Sequence, residues 1–255
     1  MIDAKCKWPE NLCETLKLYA DRYETADFLV GDPSWFMHQV QGDGNRETMA
    51  FIASVLSYGS RKQFMPKIQS LLDFSQGEVT RWVAGGHYRD FFSDGDTECF
   101  YRLYDMRTMC LFLDALSEML NRYGSLGDFL RSEGCGKGID AVAAICRWFA
   151  SHGSVAVVPK DTSSACKRIC MFLRWMVRDH SPVDLGLWTD FIDKRTLIMP
   201  LDTHVLTQAC EMGLMHSRCA SMSAARKLTD ALAQVFPDDP LKGDFALFGY
   251  GVTRG

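Results

Sequence analysis

Apolar residues recur along most of this chain with the three-to-four-residue spacing of an α-helix, while the alternation of a half-buried strand is nearly missing. The clearest case runs from Met106 to Tyr123 and is followed by Gly124, a residue that favours a helix end. A short strand is expected only over 155–158. The chain is therefore predicted to be all-α. The expected helices cover residues 11–23, 47–57, 65–74, 106–123, 139–149, 165–178, 203–212, 224–236 and 245–248.

Composition narrows the class of protein. Hydrophobic residues make up 47% of the 255 positions, which is enough for a substantial core in one domain or two closely packed ones. The net charge of −4 argues against non-specific coating of nucleic acid, but it leaves room for a locally basic groove. Residues 1–8 lack an apolar signal region, and no apolar run reaches the roughly 18 residues of a membrane span. We therefore expect a cytoplasmic protein whose ten cysteines are reduced, with no membrane partner.

A basic helix is predicted to begin shortly after residue 162. Ser163 or Ser164 is the expected N-cap, which places Lys167 in the first turn. Arg174 and Arg178 follow Lys167 by seven and eleven positions, so the three cations are expected on one exposed side. The alternative is that this side is simply a solvated face.

Lys167 is the candidate nucleophile, because a helix start and a neighbouring cation both favour the neutral form of an amine. The neighbouring cation is Arg168. Asp202 is expected to cap a second helix, where a carboxylate stays ionised and can stabilise a developing sugar cation or orient a nucleophile. Capping alone would also explain this aspartate. His204 is either a base or a partly buried polar residue.

Three segments together resemble the catalytic core of the helix-hairpin-helix DNA glycosylase superfamily, namely 166–173, 201–205 and 244–251. They follow the order of a lysine helix, an aspartate helix and a closing helix that ends in glycine. The lysine and aspartate pair is that of the bifunctional members, such as 8-oxoguanine DNA glycosylases and endonuclease III-like enzymes. Their separation of 35 positions is longer than in most bacterial members and looks more like the archaeal 8-oxoguanine branch. Over most of its length the chain is also similar to an uncharacterised bacterial family, domain of unknown function 2400.

The resemblance implies a helix-hairpin-helix glycosylase-like fold and a role in DNA repair, as a base-excision glycosylase or abasic-site lyase. Lys167 would attack C1′ of a flipped nucleotide to form a Schiff base, and Asp202 would stabilise the sugar cation and assist the amine. The partner would be damaged or abasic duplex DNA, with no cofactor and no metal. The residues expected to contact DNA are Ser163, Ser164, Arg168, Arg174 and His204.

The resemblance also implies a single unit over 1–255 with two packed lobes. One lobe would combine 1–50 with 205–255, and the central lobe would span about 51–204. In the similar enzymes a glycine-containing hairpin before the lysine helix gives its amides to a DNA phosphate, whereas residues 159–164 contain no glycine. This difference and the acidic balance motivate an alternative, a non-catalytic nucleic-acid-binding module on the same scaffold. A metabolic or RNA-directed enzyme on that fold is a third reading.

Overall fold

The computed structural model describes residues 7–216 and 219–254, and these ranges are mostly helical. The prediction of a mainly α-helical chain is confirmed. Within the described ranges, no helix combines the length and apolar character needed to cross a membrane. The helices are α1 (Glu10–Tyr23), α2 (Asp43–Leu56), α3 (Arg61–Ser75), α4 (Val79–Ala84), α5 (Met106–Tyr123), α6 (Leu126–Ser132), α7 (Gly138–Ser151), α8 (Lys167–Val177), α9 (Thr203–Glu211), α10 (Met222–Ala233) and α11 (Lys242–Arg254). Short 3₁₀ helices cover Ala26–Leu29, Pro33–His38, His87–Asp90 and Lys194–Thr196.

The strand expected over 155–158 is wrong, because this segment forms a turn after α7. Val157 and Val158 are fully buried there, so their apolar character reflects packing rather than strand pairing. A small antiparallel hairpin lies elsewhere, formed by β1 (Cys99–Tyr101) and β2 (Tyr104–Asp105). Strands of three and two residues are too short to show alternation, which is why the sequence pattern did not reveal them.

The chain divides into two compact units. The first holds the described residues up to Phe28, the short piece Lys137–Ile139 and the described residues from Ser163 onward; the second holds Leu29–Gly136 and Asp140–Thr162. In this division residues 163–204 fall in the same unit as α1 and α11. Arginines of α8 pair there with carboxylates from the segment after α1 and from α11.

In the first unit, α11 packs against both α1 and α9. A Cβ atom on Gly249 would lie 2.3 Å from Cδ2 of Tyr23, so the close approach of α1 and α11 requires glycine at this position. Phe28 packs edge-on against Phe245 and Phe248, with ring centroids 4.9 Å apart in both pairs. The aromatic contacts and the glycine at position 249 thus hold α11 in a position from which its first turn can contribute to the site described below.

In the second unit, α2 is the central helix, because every residue from Glu47 to Leu56 is buried. Phe51 stacks near Phe112 and Phe149 in its core. The Glu47 carboxylate accepts hydrogen bonds from the Leu126 and Gly127 amides at 2.6 and 3.3 Å, and so satisfies the start of α6. The buried carboxyl of Glu47 therefore serves as a hydrogen-bond acceptor for the start of α6.

Candidate functional site

The first element of the site is the start of α8. Lys167 is the first residue of the helix, which confirms its predicted place in the first turn. The cap position is held by Cys166 in a left-handed conformation, with φ of 46°, so the expected serine N-cap is wrong. Ser164 instead accepts a hydrogen bond from the Cys166 amide at 3.4 Å. The serine hydroxyl therefore shapes the turn that delivers Lys167 rather than capping the helix.

The second element is the start of α9, where Asp202 is the N-cap, as predicted. Its Oδ1 accepts a hydrogen bond from the Val205 amide at 2.8 Å. Its Oδ2 lies 2.7 Å from Nζ of Lys167 and accepts a hydrogen bond from it. The Lys167 side chain is 37% exposed and that of Asp202 is 28% exposed, so the pair is held in place yet open to solvent. The structure thus brings together the two residues that the sequence singled out.

The carboxyl of Asp202 is held in its ionised form. Burial alone would raise its pKa, but the charge and hydrogen bond of Lys167 act in the opposite direction. The Val205 amide and the nearby His204 add to this effect, and the pKa of Asp202 falls below its ordinary value. At neutral pH the site therefore presents a carboxylate that can accept a proton from the adjacent amine or stabilise a positive charge that forms beside it.

Arg174 does not lie on the exposed face that its spacing from Lys167 predicted. Only 4% of its side chain is exposed, and its Nε donates a hydrogen bond to Asp184 at 3.2 Å. Its Nη1 donates to Asp244 in the first turn of α11. The exposed placement is wrong because α8 is buried on nearly every side from Ile169 to Val177. We therefore do not retain Arg174 among the groups that would meet a nucleic acid.

Arg178 was also expected on the exposed face, but its side chain is 1% exposed. It donates to Asp239 at 2.8–3.1 Å, to Glu24 at 2.7 Å and to Asp184. Although burial opposes its charge, these carboxylates raise the pKa of Arg178. We call the following set the buried arginine cluster: Arg174, Arg178, Glu24, Asp184, Asp239 and Asp244.

Burial and nearby arginines shift the pKa of two carboxyls of this cluster in opposite directions, and burial has the larger effect. Burial raises the pKa of Asp184 although Arg174 and Arg178 both oppose the shift. Burial likewise raises the pKa of Asp244, against the influence of Arg174. The electrostatic surroundings of Asp244 also include Lys167, which lowers its pKa, and Asp202, which raises it. The charges of the lysine–aspartate pair therefore also influence the pKa of Asp244.

Sequence reasoning assigned no role to the aspartates of the cluster. The one available signal was the pair Arg174 and Arg178, four residues apart in a helix whose other residues are mostly apolar. Two arginines on a helix with so little polar surface indicate buried carboxylate partners. Their identity could not be read from spacing, because the partners lie 6 to 154 positions away along the chain.

The remaining predicted site residues lie around the two helix starts. Ser163 and Ser164 are exposed, Arg168 is partly buried, and His204 is exposed on the first turn of α9. Their contacts with DNA stay predictions. In the described ranges, no group of three or more histidine, cysteine or carboxylate side chains is arranged to hold a metal ion.

A family model described as "Protein of unknown function (DUF2400)" matches residues 32–253. The match includes both members of the lysine–aspartate pair and, apart from Glu24, the whole buried arginine cluster. No curated protein and no solved structure matches the chain.

Proposed function

The chain belongs to the DUF2400 family, and we propose that Lys167 and Asp202 give it the activity of a DNA base-excision glycosylase or abasic-site lyase. The observation that carries this proposal is the 2.7 Å pairing of a partly exposed amine with an ionised carboxylate, each delivered by a helix start. An amine of this kind is the group that condenses with an aldehyde carbon, and the open form of an abasic sugar presents one at C1′.

In this proposal Lys167 gives up a proton and its Nζ attacks C1′. Loss of water leaves a Schiff base, which makes a proton on C2′ acidic and permits elimination of the 3′ phosphate. If a damaged base is still attached, the base leaves as the C1′–N bond breaks. Asp202 accepts the proton from the amine and stabilises the positive charge that develops on the sugar.

Other lysine–aspartate pairs occur in the same unit, so pairing alone does not identify the nucleophile. Lys194 lies 2.5 Å from Asp179, and both side chains are about as exposed as those of the candidate pair, at 30% and 34%. Lys167 differs because it opens an α-helix of eleven residues and because its partner caps a second one. Lys194 and Asp179 therefore provide a matched control.

The test is borohydride trapping on duplexes that carry an abasic site or 8-oxoguanine. We expect a covalent protein–DNA adduct with the wild type and with Lys194→Ala, and none with Lys167→Ala. Circular dichroism of each variant excludes unfolding as the cause. An adduct that survives in Lys167→Ala would show that another amine reacts. No adduct from folded wild-type protein on either duplex would refute the lyase proposal.

The second candidate function is a nucleic-acid-binding module without catalysis. It is favoured by one sequence observation, the absence of glycine from residues 159–164, and by the net charge of −4. It predicts that duplex DNA binds equally to the wild type and to Lys167→Ala, with no strand cleavage by either. Fluorescence anisotropy with a labelled duplex, run beside the trapping assay, separates the two functions.

A further inference from the structure

The hairpin of the second unit ends in a tip whose residues are not the ones that a turn favours. Arg102 and Leu103 connect the paired positions Tyr101 and Tyr104. Arg102 has a left-handed backbone, with φ of 53°, where glycine would be free of strain. Leu103 is 76% exposed, so it contributes little to the core. The turn itself requires neither side chain, and the tip therefore points to a role other than folding.

The tip is held in place by the segment that follows α2. The Tyr101 hydroxyl donates a hydrogen bond to the backbone carbonyl of Tyr58. The guanidinium carbon of Arg102 lies 5.0 Å from the centre of the Tyr58 ring. A Cβ atom on Gly59 would lie 2.5 Å from Nη1 of Arg102, so glycine at this position leaves room for the arginine. The tip is thus organised before any partner binds, which lowers the entropic cost of binding.

The contact between Arg102 and Tyr58 is open to solvent. Tyr58 is 38% exposed and Arg102 is also exposed, so water reaches both groups. A planar guanidinium over an aromatic ring can stack with a further flat group, and Leu103 adds an apolar contact beside it. Flat groups of this kind in biological polymers include the nucleobases, which bind proteins by stacking on aromatic rings and guanidinium planes.

The surroundings of the tip are positively charged. The segments 57–63 and 101–104 contain no carboxylate. Their cations are Arg61, Lys62 and Arg102. Arg61 pairs with Asp32, but 53% of its side chain stays exposed, and the adjoining Asp105 is engaged as the cap of α5. In a chain with a net charge of −4, this local excess of positive charge favours an anionic partner.

We propose that this part of the second unit binds single-stranded nucleic acid. The hairpin-tip surface consists of Tyr58, Arg61, Lys62, Arg102 and Leu103. The Arg102–Tyr58 pair stacks with an unpaired base, Leu103 packs beside that base, and the two cations of α3 bind phosphates. A single strand fits better than a duplex, because paired and stacked bases cover one another's faces. The inference goes beyond the proposed function, since it concerns the second unit and needs no reaction of Lys167.

The experiment titrates the whole protein with a single strand of about 12 thymidines that carries one internal 2-aminopurine, and with the duplex formed from the same strand. The anisotropy of a terminal dye gives the dissociation constant. The fluorescence of 2-aminopurine reports stacking of a base, which binding through phosphates alone does not produce. We expect the wild type to bind the single strand more tightly than the duplex and to quench the 2-aminopurine.

Two substitutions separate stacking from charge. Arg102→Lys keeps the positive charge but removes the planar group, so the dissociation constant for the single strand should rise roughly tenfold and the quenching should be lost. Lys62→Gln removes one phosphate contact, so the slope of log Kd against log salt should decrease by about 0.7, whereas the quenching at saturation should be kept.

Matched controls lie in the same unit. The guanidinium carbon of Arg122 lies 5.2 Å from the centre of the Tyr123 ring, but that ring packs against Phe129 and has no exposed leucine beside it in the chain. Arg122→Lys should therefore leave affinity and quenching unchanged. Leu103→Ser should weaken binding of the single strand, whereas Val155→Ser, at another exposed apolar residue, should not. Circular dichroism checks that each variant is folded.

The proposal is overturned if the wild type does not bind the single strand, binds the duplex as tightly, or binds without quenching, and none of these results needs a variant. It is also overturned if folded Arg102→Lys keeps the quenching. A wild-type dimer that Leu103→Ser dissociates, with unchanged binding of the strand, would assign the surface to a second copy of the chain instead. Because the strand carries neither an abasic site nor 8-oxoguanine, failure of the trapping assay refutes the proposed function without affecting this result.

Discussion

Replacement of Arg178 by methionine tests whether the buried arginine cluster holds the first unit together. Methionine keeps much of the volume of the apolar stem but removes the guanidinium, which contacts Asp184, Asp239 and Glu24. The Asp184 side chain is fully buried, so the variant leaves a buried carboxyl with Arg174 as its one remaining guanidinium contact among the described residues. Breaking a buried ion pair from one side costs about 3–5 kcal/mol, and we expect a loss of this size in the free energy of unfolding.

The loss should depend on pH in a defined direction. The pKa of Asp184 is already raised by burial, and removal of a nearby cation raises it further. A carboxyl whose pKa is higher in the folded than in the unfolded state stabilises the fold below its unfolded pKa, and this stability is lost as the pH rises through the folded pKa. The deficit of Arg178→Met relative to the wild type should therefore be large near pH 8 and shrink toward about pH 4.

Urea unfolding at several pH values, followed by tryptophan fluorescence, measures the effect. The control is Arg195→Met, which removes an exposed arginine from its pair with Asp193 and should leave the free energy of unfolding nearly unchanged. A loss below about 1 kcal/mol for Arg178→Met would refute the reasoning, since it would mean that the cluster is solvated or readily repacked. A loss that does not change with pH would show that packing rather than charge is responsible.

Two further changes test other parts of the first unit. Asp202→Asn should keep the helix cap but remove the ionised group. The wild type loses stability as the pH falls through the lowered pKa of Asp202, and this loss should be smaller in the variant. Thermal unfolding at acidic pH measures the difference, and an identical acid profile would contradict the prediction. Gly249→Ala places a methyl group against the ring of Tyr23 and should cost about 1–3 kcal/mol, measured by urea unfolding, with a smaller cost in a Tyr23→Ala background. Equal costs in the two backgrounds would show that the ring is not the obstacle.

The sequence predicted best the helices whose ends carry chemical signals. The predicted bounds of α5 are correct because Asp105 caps its start and Gly124 follows its end. The capping role of Asp202 was likewise predictable from its place before a helical pattern. Local patterns of this kind depend only on near neighbours along the chain.

The parts that could not be predicted depend on distant partners. Helix α11 was expected only over 245–248, because Gly243, Gly249 and Gly251 lower helix propensity. In the fold these glycines allow close approach, since added Cβ atoms would meet side chains of α10, α1 and α9. The burial of Arg174 and Arg178 also depends on distant partners. Helical spacing places both arginines on one face of α8 but does not show which other elements cover that face.

The pairing of α1 with α11 has a consequence for how the protein is made. Synthesis proceeds from the N-terminus, so α1 leaves the ribosome before the whole second unit and long before its packing partner. The second unit has been translated by the time α8 emerges, whereas the pair formed by Lys167 and Asp202 gains its support from α11 only after α11 has been translated. A chain interrupted before Lys242 would present the face of α1 that carries Leu16 and Ala20 uncovered by α11, and would lack Asp244 altogether. A chain cut short before α11 is therefore expected to be prone to aggregation.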